Sequence, residues 1–119
     1  MATILVILSK TPHGSASAKD GLDFAMSATG FGHDVDVVFI DDGVFQLMAP
    51  IDSAPAYQTK QPFKIAKSLS FFDIDNVYVC EQSLAKRMID KETISSEYTV
   101  IEAHDIRGMI ESHKFVVNL

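Results

Sequence analysis

The chain has 119 residues, 47% of them hydrophobic, and its 10 basic side chains against 16 acidic ones leave a formal net charge of −6. That size suits one domain over residues 1–119 with a core of its own, the single cysteine excludes an internal disulfide, and the acidic balance excludes a broad contact with a nucleic-acid backbone. No stretch approaches the roughly 20 apolar residues of a membrane span, and Met1-Ala2-Thr3 lacks the basic flank of a secretory signal, so a cytoplasmic protein with no membrane partner is expected.

Strand and helix patterns alternate along the chain. Thr3 to Ser9 is a continuous β-branched and leucine run, the pattern of a strand buried on both faces. The turn Lys10-Thr11-Pro12-His13-Gly14 ends it. Ser17 is a candidate cap for a helix in which Ala18, Leu22, Ala25, Met26 and Thr29 recur at helical spacing and which stops at Gly30-Phe31-Gly32. A second strand is expected over 35–40, closed by the turn residues Asp41-Asp42-Gly43. Val44, Phe45, Leu47 and Met48 form an apolar cluster that reads as a short helix before Pro50 and Pro55. It is either packed on the sheet or part of a subunit interface.

Pro62 suits the first turn of a helix reaching Ser70. Asn76 to Cys80 is the third strand and Ser83 to Arg87 a helix; 98–101, 105–112 and 114–119 read as strand, helix and strand. Strands separated by helices imply a mostly parallel five-stranded sheet with helices on both faces. The common order 2-1-3-4-5 sets strands one and three side by side. In that order the loop carrying His13 and the turn carrying Cys80 flank one crevice.

Cys80 is the first candidate for chemistry. A thiol where a strand passes into a helix lies on the edge where α/β folds place ligands. The helix dipole favours its thiolate, the adjacent Glu81 disfavours it, and a protonated His13 would offset Glu81. The plain alternative is a buried cysteine closing a strand. The spacing from Cys80 to Arg87 is one residue too long for a thiol-phosphatase cradle, and no Gly-Lys-Ser or Gly-Lys-Thr phosphate loop occurs. Scattered histidines at 33, 104 and 113 with one thiol make no zinc pattern. Asp41-Asp42 reads as a solvated turn more readily than as a cation site. No metal is expected. The hydroxyl-rich loop Ser9 to Ser17 leaves one rival, a small flavin- or phosphate-binding module, although Pro12 removes an amide donor there.

Three blocks, Lys10-Thr11-Pro12-His13-Gly14-Ser15 with Gly21-Leu22-Asp23, Phe39-Ile40-Asp41-Asp42-Gly43-Val44-Phe45-Gln46-Leu47, and Val79-Cys80-Glu81-Gln82-Ser83-Leu84, together resemble the DsrE/DsrF-like family and, within it, a subunit of the bacterial Tus sulfur relay. The resemblance implies an α/β, flavodoxin-like three-layer sandwich. It also implies a heterohexamer, a dimer of trimers, with TusB-like and TusD-like subunits. A TusA-like donor brings persulfide sulfur to such a complex, and a TusE-like acceptor carries it toward 2-thiolation of the wobble uridine of tRNA. No cofactor and no direct tRNA contact by this chain are implied. The family's established sulfur-carrying cysteine lies in the TusD-like subunit. Cys80 is then at most an accessory persulfide carrier in a largely non-catalytic subunit.

Overall fold

The computed structural model describes residues 3–10, 17–48, 69, 73–74, 76–94 and 97–119. Its strands are β1 (Thr3–Leu8), β2 (Asp34–Phe39), β3 (Val77–Cys80), β4 (Thr99–Ile101) and β5 (Phe115–Asn118). The helices are α1 (Ser17–Gly30), α2 (Glu81–Lys86) and α3 (Ala103–Ser112), with 3-10 helices at Asp41–Leu47 and Lys91–Thr93. Most of the helix expected over 62–70 lies outside the described residues; Leu69 is described and buried.

All four strand pairings are parallel, and the order across the sheet is β4-β3-β2-β1-β5. The α/β sandwich is as expected, but the order 2-1-3-4-5 is not: β2 separates β1 from β3. The reason is the direction of the crossovers. The connections β1 to β2, β2 to β3 and β3 to β4 each step to the next strand on the same side, and right-handed crossovers then stack their helices on one face. Only the β4 to β5 connection reverses, carrying the chain back to the free edge of β1 with α3 on the opposite face.

The two cores follow this division. Ile4, Val6, Leu8, Val35, Val37, Phe39, Val77 and Val79 pack with Leu22, Ala25 and Ala28 of α1, Val44 and Leu47 of the 3-10 helix and Leu84 of α2. On the other face Leu5, Ile7, Val38 and Cys80 pack with Ile106 of α3. β1 is buried on both faces, which is why Ile4 to Leu8 is apolar without alternation.

Helix α1 stops where Gly32 turns left-handed (φ 86°). The Gly32 amide donates to the Thr29 carbonyl at 2.9 Å and the His33 amide to the Ala28 carbonyl at 3.2 Å, a Schellman closure that satisfies the last carbonyls. The segment after β2 is helical as the apolar cluster suggested, but it begins at Asp41 and has 3-10 geometry. Gly43 sets its position: a Cβ there would drive into the Leu8 carbonyl, so the chain crosses the end of β1 at backbone contact. Gln46, buried in this helix, donates from Nε2 to the Lys10 carbonyl at 2.8 Å and anchors the start of the loop after β1.

Candidate functional site

Cys80 is the last residue of β3, in extended conformation, and α2 begins at the next residue. Side chains alternate along the strand. Val77 and Val79 face the core beneath α1 and α2, whereas Cys80 faces the other side with Leu5, Ile7, Val38 and Ile106. The thiol therefore makes no cap to α2 and turns toward α3 instead. It is 4% exposed.

The Cys80 Sγ donates to Gln82 Oε1 at 3.8 Å, and the same oxygen accepts the Ala103 amide at 2.8 Å. Ala103 is the first residue of α3, so Gln82 spans from one helix to the next across the sulfur. A cavity of about 230 Å³ opens here, bounded by Asp41, Cys80, Gln82, Ser83, Lys86 and Ala103 over the apolar Ile40 and Ile106. It has room for an added sulfur atom or a small polar group. Lys86 makes no ion pair among the described residues and brings a cation to the lining.

The turn after β2 is bound to α2 beside this cavity. Asp41 is left-handed (φ 49°), a conformation that disfavours a side chain, and its amide donates to the Oγ of buried Ser83 at 2.9 Å. Arg87 donates from Nε and Nη2 to Asp42 Oδ1 at 3.1 and 3.0 Å, and from Nη1 to the Ser83 carbonyl at 3.2 Å. The pair Asp41-Asp42 thus serves as a joint between elements. Among the described residues, no three His, Cys, Asp or Glu side chains gather as metal ligands.

Sequence reasoning set Glu81 and His13 beside Cys80. Glu81 does not line the cavity; its carboxylate meets Lys91 at 3.4 Å. His13 lies outside the described residues, and with β2 between β1 and β3 the topological argument for its meeting Cys80 falls away. Gln82 and Ser83 entered the sequence reading only as part of the third block and, for Ser83, as a helix start, and neither they nor Lys86 and Ala103 were given a place at the site. The one signal available was that Gln82 follows Cys80 by two positions at a helix start. Of the apolar cluster, Val44 and Leu47 belong to the core, Phe45 is half-buried and Met48 is 36% exposed.

The reversal of strand order falls between β1 and β5, the place where open α/β sheets form a ligand crevice. A cavity of about 780 Å³ lies there, lined by Ser9, Lys10, Asp20, Gly21, Phe24, Asn118 and Leu119. The single Ser9 Oγ proton is shared between the Leu119 carbonyl and Asn118 Oδ1, both at 3.3 Å. At the N-terminal end of β5, His113 bonds Asp36 at 2.6 Å and the Met109 carbonyl at 2.7 Å. That histidine ties the end of α3 to β2.

A model of the DsrE/DsrF-like family matches residues 2–119. The chain is 32% identical over 118 residues to the protein TusC of Escherichia coli, covering 98% of each. To a TusC homolog of Vibrio vulnificus it is 30% identical over 112 residues, 94% of each. Among solved structures it superposes on the E. coli ychN protein with a TM-score of 0.78 at 17% identity. The protein of unknown function MTH1491 from Methanobacterium thermoautotrophicum gives 0.72 at 10% identity; each match spans 100% of both chains. At those identities the structures speak for the fold alone.

Proposed function

The chain belongs to the DsrE/DsrF-like family, and from that premise we propose that it is a TusC-type subunit of a cytoplasmic sulfur relay, with Cys80 as an accessory persulfide site. The observation that carries the reading is one thiol, set at the floor of a small cavity on the C-terminal edge of the sheet. A relay of this kind needs no organic cofactor. The Cys80 thiolate attacks the outer sulfur of a donor persulfide, the donor S–S bond breaks, the donor leaves as a thiolate, and a Cys80 persulfide forms. An acceptor thiolate then repeats the displacement and returns Cys80 to its thiolate. Since the sequence holds no second cysteine, both partner sulfurs come from other polypeptides.

In this reading the chain is one DsrE/DsrF-like domain. It assembles with TusB-like and TusD-like subunits in a dimer of trimers, receives sulfur that began on a TusA-like donor, and passes it toward a TusE-like acceptor and the wobble uridine of tRNA without touching tRNA itself. The TusD-like cysteine remains the main carrier. Cys80→Ser in a reconstituted relay is expected to leave the hexamer assembled and most tRNA thiolation intact, whereas loss of the TusD-like cysteine abolishes it. Near-complete loss of thiolated product with Cys80→Ser in an intact hexamer would make this chain an obligatory carrier. The rival flavin or phosphate module would use the Ser9 to Ser17 loop; the β1/β5 crevice beside the start of that loop is lined by Lys10 but also by Asp20, whose carboxylate opposes a phosphate. Flavin absorbance in the purified chain would favour it.

A further inference from the structure

Gln82 is a surface residue of α2, yet its side-chain carbonyl is not left to solvent. It crosses to the first amide of α3 and meets the thiol of Cys80 on the way. The first amides of a helix have no partner within it. In α3 the Glu102 side chain takes the amide of Asp105 and the Asp105 side chain takes that of Glu102. The Ala103 amide donates to Gln82 Oε1 at 2.8 Å, which holds that oxygen 3.8 Å from the sulfur. A thiol that donates to this oxygen still carries its proton, while sulfur transfer requires the thiolate. The contact and the reaction exclude one another.

We propose that Gln82 is the positioning residue of Cys80: held by Ala103, its carbonyl latches the thiol in the cavity, and the sulfur becomes reactive only when that carbonyl moves away. The biological meaning of the latch rests on the reading of Cys80 as an accessory sulfur site. Its test does not.

Because Cys80 is the only cysteine, alkylation of the intact chain by iodoacetamide reports this sulfur alone. Gln82→Ala is expected to speed labelling about tenfold, the loss of one hydrogen bond on the sulfur. Ala103→Pro tests the same latch with Gln82 in place. Proline suits the first helical position and lacks only the amide, and Glu102 before it is already extended (φ −85°, ψ 158°). That variant is expected to label about fivefold faster while keeping the wild-type melting curve.

Gln82→Glu preserves an acceptor for Ala103 but sets a carboxylate beside the sulfur, which moves the rate–pH profile to higher pH. Any carboxylate beside the sulfur does this, so Gln82→Glu reports that side chain 82 faces Cys80, and Ala103→Pro reports the latch. Wild-type labelling rates in Ala103→Pro, or an unshifted profile in Gln82→Glu, would overturn the proposal; if Gln82→Ala melts early, those two variants decide. Altered labelling together with fully normal relay activity of Cys80→Ser would keep the latch and reject the sulfur-carrying role.

Discussion

Tyr98 shows how a single residue can make stability depend on pH. Its ring is buried edge-on against Phe39, with centroids 6.4 Å apart and planes at 70°. Its hydroxyl has no partner among the described residues. Burial, helped by the Glu97 carboxylate, pushes the phenol up from 10.0 to about 12. The folded protein thus holds the proton more tightly than the unfolded chain, so this contribution is complete below pH 10 and is lost as pH rises through about 12. The urea midpoint of the wild type is expected to fall across that window more steeply than that of Tyr98→Phe. At neutral pH Tyr98→Phe should be stable to within about 1 kcal/mol of the wild type, since no made hydrogen bond is removed. Equal slopes for the two proteins above pH 10 would show that the phenol is not held protonated by the fold.

At the scale of elements, the placement of the 3-10 helix rests on one glycine. A methyl at Gly43 meets the Leu8 carbonyl, which is fixed by the bond it accepts from the Ile40 amide at 3.0 Å. Since backbone cannot rotate aside, Gly43→Ala is expected to cost about 3 kcal/mol, the upper end of ordinary overpacking. Gly32→Ala, with open space around it and only the left-handed backbone to oppose it, should cost about 1 kcal/mol. Urea unfolding of the two variants checks the ranking, and a smaller loss at Gly43 than at Gly32 would refute it. The same contrast explains what was legible in the chain. Ile4 to Leu8 and Leu22, Ala25 and Ala28 declare a strand and a helix because their periodicity is written by burial. No local pattern records which neighbour a strand takes, so the place of β2 between β1 and β3, and with it the separation of the β1 loop from Cys80, had to come from the assembled sheet. Cys80 was found by its position at a strand end. Its latch was not, because Gln82 and Ala103 are 21 positions apart.

For the whole molecule, the surface beside the 3-10 helix is the place to look for assembly. Val44 and Leu47 are committed to the core, which leaves half-buried Phe45 and exposed Met48 as the residues of this cluster that a partner in the proposed assembly would meet. Phe45→Asp and Met48→Asp are each expected to weaken co-purification with TusB-like and TusD-like chains, Met48→Asp with little effect on the isolated fold because its side chain is already partly in water. Undiminished recovery of the complex from both variants would move the interface elsewhere. The pairing of β5 with β1 has a consequence of another kind, one of timing. Ser9 and Leu119 touch although they lie 110 positions apart, so β1 leaves the ribosome long before β5, the strand that completes it. At ordinary elongation rates that delay is on the order of ten seconds. Throughout it the nascent chain carries Ile4 to Leu8, its most apolar strand, with one edge unpaired, the form in which strands recruit the wrong neighbours. Slower translation is therefore expected to lower the yield of native protein without changing the stability of the finished sheet.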